Sequence, residues 1–167
     1  MAQEEKYVFF WGNSSPFSQW YPCIFTVDGV EYCCAEQYMM HQKALLFGDD
    51  ESAKKIMATS NPKDQKALGR RVHPFDPNVW KEKCRNIVEK GNLSKFSQNP
   101  DLKQTMLATA GSVLVEASPR DTIWGIGLGA GNPKAKTKST WRGKNWLGYA
   151  LTNVRERLMT EAAEDTI

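Results

Sequence analysis

A carboxylate and an amine stand seven residues apart in the stretch Ala35 to Phe47: Glu36 and Lys43. If that stretch is helical, seven residues is close to two turns, so both side chains leave one face, with Met39 and Met40 near the turn between them. Exposed to water, such a pair does nothing. In a pocket, a carboxyl beside apolar groups can hold a proton and deliver it, and a desolvated lysine can become a neutral nucleophile. His41 falls on another face of the same helix and reads as a surface or packing residue.

A second carboxylate, Asp121, follows directly on the stretch Ser112 to Ala117 and suits a ligand hydroxyl. Gly125, Gly127 and Gly129 come next and permit close backbone approach or unusual backbone angles. Gly-x-Gly-x-Gly is not the dinucleotide fingerprint, because no helix follows at once; a glycine-rich turn around a core Trp124 gives the same pattern. Further on, Trp141, Gly143, Lys144 and Asn145 stand just before a helix, where free amides and the helix dipole favour an anion such as phosphate. Arg70 or Arg71 would strengthen such a site. Near the N-terminus, Gly12, Asn13, Ser14 and Ser18 lie among Trp11, Phe17 and Trp20, a polar loop laced with rings that suits a nucleoside or sugar. A well-capped aromatic loop would look the same.

The elements that must hold these groups are legible from punctuation and period. Tyr7 to Phe10 reads as a strand, and Cys23–Val27, Asp28-Gly29 and Val30–Cys33 as a hairpin with a type I′ turn. Ala35 to Phe47 reads as a helix stopped by Gly48. Asn61-Pro62, Asp76-Pro77 and Asn99-Pro100 each pair a capping side chain with Pro at the first helical position, so three more helices start there. Val79, Trp80, Cys84, Ile87 and Val88 form an apolar stripe on the second of them, which leaves Trp80 as a core residue or a pocket wall. Ser112 to Ala117 is a strand, and a last helix runs from about Asn145 to Met159. Strict β-α alternation is missing, so the expected class is α+β: one compact domain with a small sheet and several short helices. The expected limits are a tail over 1–6, the domain over 7–158 and a tail over 159–167.

Composition narrows the function. The 167 residues suit one domain, and 41% hydrophobic residues are enough for a core. With 22 Lys and Arg against 19 Asp and Glu the net charge is +3, too mild for a chain that grips nucleic acid by charge alone. Six Trp, five Tyr and seven Phe say that flat surfaces matter more. Cys23, Cys33, Cys34 and Cys84 contain no C-x-x-C pair, which argues against a zinc knuckle or a thioredoxin-type motif. The opening Met-Ala-Gln-Glu-Glu-Lys lacks an apolar signal core, so a cytoplasmic, reducing location is the default expectation. Without a heptad seam, a monomer is the expected state, and no run of apolar residues is long enough to enter a membrane.

Four stretches in order resemble the NADAR family: Phe10-Trp11-Gly12 through Ser18-Gln19-Trp20-Tyr21-Pro22; Ala35-Glu36-Gln37-Tyr38-Met39-Met40 with Lys43-Ala44; Asp121-Thr122-Ile123-Trp124-Gly125-Ile126-Gly127; and Trp141-Arg142-Gly143-Lys144-Asn145-Trp146-Leu147-Gly148. Trp146 departs from the pattern, where an aliphatic residue is expected, and this touches packing rather than chemistry. The resemblance implies a compact α+β domain that cleaves the bond between a base nitrogen and C1′ of a phosphorylated ribose. It implies that Lys43 carries the essential amine and captures C1′ as a Schiff base, that Glu36 moves protons, and that Asp121 orients ribose hydroxyls or assists as a second carboxylate. Trp80 looks like the family's helix tryptophan. The scheme requires no metal and no other cofactor.

Two substrates fit that implication: ADP-ribosylated guanine in DNA, RNA or a nucleotide, and the phosphoribosylamino-pyrimidines of riboflavin synthesis. The first is favoured, and the length leads one to expect a stand-alone domain without a fused riboflavin enzyme that would decide the matter. A module that reads ADP-ribose without cleaving it would have no need of Lys43 and Glu36. A general nucleic-acid binder would rest on the stretch Lys134 to Lys144 and would bind unmodified DNA or RNA with strong salt dependence.

Overall fold

The computed structural model describes residues 5–165, so most of the expected tail over 1–6 lies outside the described residues. In chain order the elements are β1 (Tyr7–Phe10), β2 (Phe25–Val27), β3 (Val30–Tyr32), α1 (Ala35–Leu46), α2 (Asp50–Met57), α3 (Pro62–Gly69), α4 (Pro77–Gln98), α5 (Pro100–Leu107), β4 (Val113–Glu116) and α6 (Trp146–Asp165). Two short 3-10 turns, Pro133–Lys136 and Lys138–Thr140, precede α6. The class is α+β, as the missing β-α alternation predicts. The chain divides into two compact units, one from the described parts of Met1–Ser18 and Pro100–Ile167, the other from Gln19–Asn99.

The first unit is organised by its strands. β1 and β4 pair in parallel with Tyr7 opposite Val113 and Phe10 opposite Glu116. Val115 of β4 buries against Ile126, Leu128 and Ala135, with Tyr7, Phe9, Val113 and Trp141 packed around them. α6 lies against β4, and Thr152 fixes the contact by accepting the Leu114 amide at 3.0 Å. Arg155 of α6 is buried and donates to the carbonyls of Thr109 and Ser112, closing the chain between α5 and β4. The expected end of this helix near Met159 falls short of the observed one, because the helix runs on to Asp165.

The second unit is built around α1. The Asp28-Gly29 turn adopts φ of 51° and 80°, the positive pair a type I′ hairpin needs, and joins β2 to β3 in register Phe25 opposite Tyr32. Phe25, Val27 and Tyr32 of this hairpin bury against Tyr38 of α1. α1 is capped by Cys34, whose sulfur accepts the Gln37 amide, and Gly48, with φ 73°, turns the chain just past its end. α2, α3 and α4 all pack on it. Two glycines permit that close approach: a Cβ on Gly69 of α3 would meet the Met40 sulfur, and one on Gly91 of α4 the Tyr38 ring.

α3, α4 and α5 start at the three Pro residues that the capping pairs mark, and Asn61 and Asp76 do cap α3 and α4. α2 has no Pro to announce it. Its cap, Asp49, is buried and accepts the Ser52 hydroxyl, the Ser52 amide and the His73 amide. These three bonds hold its carboxyl down to about 2. Asp49 thereby ties the start of α2 to the segment that leads into α4.

Candidate active site

Glu36, Met40 and Lys43 occupy one face of α1 at i, i+4 and i+7, the spacing that places them in a row. Glu36 is buried and Lys43 half-buried. Burial is the main influence on Lys43 and pulls its pKa below the usual lysine value; the positive charge of Arg70 pushes the same way, and the carboxylate of Glu36 opposes both. Glu36 and Arg70 therefore each lie within electrostatic reach of the Lys43 amine. The Lys43 Nζ sits 4.7 Å from the centre of the Phe75 ring and 5.5 Å from that of Trp80. Trp80, on the first turns of α4, thus faces the amine rather than serving the core alone. Trp20 lies in the same unit, partly buried, with the Lys66 ammonium 6.0 Å from its ring.

Phe75 escaped the sequence reading. It lies between Pro74 and the capping Asp76, and its neighbours read as helix punctuation. The signal was an aromatic side chain 41% exposed in a polar turn, a property of the fold and not of the sequence. Phe47, at the end of α1, supports it edge-on with ring centres 5.1 Å apart.

The other candidates belong to the first unit, where the loop after β4 arranges them. Asp121 turns its Oδ1 onto the amides of Ile123 at 2.9 Å and Trp124 at 2.8 Å, and its own carbonyl accepts the Gly127 amide. One carboxylate oxygen is thus committed to shaping the loop. Gly127 has φ 71°, and a Cβ on Gly125 would press on the carbonyls of Asp121 and Glu116. Trp124 meets Trp146 edge-to-face at 5.7 Å, so the residue that departs from the family pattern supports a candidate site ring. Gly12 adopts φ 93° at the head of its turn and Ser15 donates back to its carbonyl; Asn13 and Ser14 are exposed there, and Ser18 is half-buried.

The expectation of free amides before α6 is overturned. The amides of Lys144, Asn145, Trp146 and Leu147 donate to the carbonyls of Thr122, Gly125, Ile123 and Trp124 in turn, so the helix start is closed by the glycine loop and offers no anion cradle. Asn145 is fully buried with φ 54°, its Oδ1 accepting the Glu116 amide and its Nδ2 donating to the Leu114 carbonyl. Trp141 points its indole N–H at the Ala135 carbonyl, 2.7 Å away, and packs on Tyr7. Both hold the loop together in this structure. Lys144 is exposed, with its amine 5.2 Å from the Trp146 ring. Among the described residues no group of three or more His, Cys, Asp or Glu side chains comes together to hold a metal ion, and no helix is long and apolar enough to cross a membrane.

An amine and a carboxylate on one helix face, flanked by aromatic rings, suit a base-bearing glycosyl group, and the relatives of this chain agree. The NADAR domain model matches residues 9–159 and so runs through both units. N-glycosidase R617 of Acanthamoeba polyphaga mimivirus is 47% identical over 165 residues, covering 92% of this chain and 97% of the viral protein. The NMR structure of the Escherichia coli protein YbiA, which bears the name N-glycosidase, superposes with a TM-score of 0.79 at 30% identity, over 98% of this chain and 90% of that one. A riboflavin biosynthesis protein of Vibrio vulnificus is 29% identical across 90% of this chain, which matches 37% of that protein's length. Fold and relatives define the class, a hydrolase of N-glycosyl bonds. The chain belongs to the NADAR family.

Proposed function

We propose that this N-glycosidase removes ADP-ribose from ADP-ribosylated guanine, in nucleic acid or nucleotides, through a Schiff base on Lys43. The observation that carries the reading is the placement of the Lys43 amine: desolvated enough to lose its proton more easily, beside a buried carboxyl, and walled by Phe75 and Trp80. A surface lysine on an ordinary helix has none of these.

The chemistry follows from those groups. Glu36, protonated, gives its proton to the ring oxygen of the ribose as the bond from C1′ to that oxygen breaks. The base nitrogen, if it carries a hydrogen, supplies the electron pair and forms an imine with C1′. Neutral Lys43 then adds to C1′, the bond from C1′ to the base nitrogen breaks, and the base departs as its amine with the proton from Lys43. The remaining imine joins C1′ to Nζ. Water adds to C1′, the bond to Nζ breaks, and the aldehyde of ADP-ribose leaves while Glu36 recovers a proton. One water is consumed overall. Within the unit built around α1, Arg70 would meet a phosphate of the substrate and Trp20 a further nucleoside surface.

The same steps apply to a phosphoribosylamino-pyrimidine, whose glycosylated nitrogen also bears a hydrogen, and the Vibrio vulnificus relative favours that second reading. Side-by-side turnover of an ADP-ribosylated guanine oligonucleotide and the pyrimidine separates them, and a clear preference for the pyrimidine would replace the first reading. Borohydride added during turnover should leave a reduced adduct on Lys43, found by peptide mass. Lys43→Ala should lose both adduct and turnover, by roughly 10³–10⁶-fold. Normal trapping and turnover by that variant would refute the lysine mechanism.

A further inference from the structure

Phe75 is a large apolar side chain, 41% exposed, held in place from two sides. Behind it Phe47 packs edge-on at 5.1 Å and 68°. At its base the segment is tied down by Asp49, which accepts the His73 amide, and by Asp76, which caps α4 through the amides of Asn78 and Val79. A ring braced in this way loses little freedom on binding a ligand, and the side chain stays exposed beyond these supports. The Lys43 amine lies 4.7 Å from its centre.

We propose that Phe75 is the platform on which the leaving base stacks, and that it sets the enzyme's preference for a bicyclic over a monocyclic heterocycle. The inference rests on the Schiff-base reading above. When C1′ reaches Nζ, the base is still bonded to that same carbon, which brings it within reach of the two rings that flank the amine. Trp80 is half-buried, and Phe75 is the more exposed of the pair. Stacked rings keep centres about 4.5–7 Å apart, a range that a base on C1′ would meet over Phe75. A purine covers more of such a face than a pyrimidine does. Stacking holds the base equally before and during the reaction, so it acts on KM more than on kcat.

The test measures KM and kcat of the whole protein on the ADP-ribosylated guanine oligonucleotide and on the phosphoribosylamino-pyrimidine, for wild type, Phe75→Ala, Phe75→Leu and Phe75→Tyr. Phe75→Ala should raise KM for the guanine substrate about tenfold, with kcat within about threefold, and should raise KM for the pyrimidine less. Phe75→Tyr, which keeps the π face, should stay within about twofold of wild type. If Phe75→Ala does not fold, Phe75→Leu decides, since it fills the space against Phe47 without a flat face. An unchanged KM in a folded Ala or Leu variant overturns the proposal, as does an equal rise for both substrates. Borohydride trapping on wild type is scored separately: turnover without an adduct on Lys43 overturns the lysine mechanism, and the KM comparison then still decides the platform. If neither substrate is turned over, dissociation constants for the uncleaved guanine substrate replace KM, with the same fold-change expected.

Discussion

The two units present their polar groups in opposite ways. In Gln19–Asn99 the candidate chemistry rides on side chains of a packed helix, with Glu36 and Lys43 on one face and rings drawn up to the amine from outside that helix. In the loop after β4 the polar atoms are turned inward: Asp121 Oδ1, both polar ends of Asn145 and the amides from Lys144 to Leu147 all bond within the unit. The first arrangement sets an amine and a carboxyl on one helix face at the cost of desolvating the amine. The second consumes them to fix a backbone shape. Substitutions in the first should therefore change rates and pH profiles, and substitutions in the second should change stability.

The sharpest way to break this contrast is Gly143→Ala. A Cβ there would run into the Gly125 carbonyl oxygen and stand 2.8 Å from the Thr122 Cα, both backbone atoms that cannot swing aside. Loss of about 3–5 kcal/mol of stability is expected, measured by denaturant or thermal unfolding. Lys43→Ala, in contrast, should unfold close to wild type while losing activity. A stable Gly143→Ala protein would mean that the loop yields easily and that its hydrogen bonds do not define it.

That difference also explains what the sequence could reveal. Elements announced by local chemistry were legible: the Asp28-Gly29 turn, the Pro residues opening α3, α4 and α5, and the pairing of Glu36 with Lys43 through helical period. α2 was not, although Asp49 and the acidic residues Asp50 and Glu51 do mark its start, because the cap's third bond comes from His73, distant in sequence. The fate of Asn145 could not be read either. Its position before a helix suggested an anion site, and only the approach of β4 reveals that its amide completes a strand ladder. Phe75 was hidden for the same reason: what makes it notable is the amine beside it, supplied by α1.

A second lysine tests whether burial alone makes an amine catalytic. Lys95 of α4 is fully buried near the rings of Tyr21 and Phe96, and desolvation pulls it down to about 8, with the nearby Cys23 and Cys34 opposing that pull. Its folded pKa lies below the ordinary 10.5, so the unfolded chain binds more protons between about pH 8 and 10.5, and stability rises with pH across that window. Below it the charged amine is a constant cost. Lys95→Met should stabilise the protein by about 2 kcal/mol at pH 7, with the gain fading towards pH 10.5. The borohydride adduct on Lys43 should be unchanged. An adduct that disappears in Lys95→Met would move the reacting amine from α1 to α4.

The smallest effect is the most specific to the side-chain site. Lys43 must be neutral to attack and Glu36 protonated to open the ring, so kcat/KM should rise with pH through the lowered pKa of the amine and fall again where Glu36 gives up its proton. Arg70 is one cause of that lowering, acting by charge at the end of α3. Removing it in Arg70→Ala leaves burial to act against Glu36 alone, so the amine holds its proton more firmly and the acidic limb should move to higher pH. If Arg70 also grips a substrate phosphate, its removal would depress kcat/KM at every pH without displacing the limb. The position of the limb in the pH–rate profile thus reports the electrostatic link, and its height reports binding. A limb that stays in place would show that Arg70 does not tune Lys43, and the reactive state of the amine would then rest on desolvation opposed by the Glu36 carboxylate.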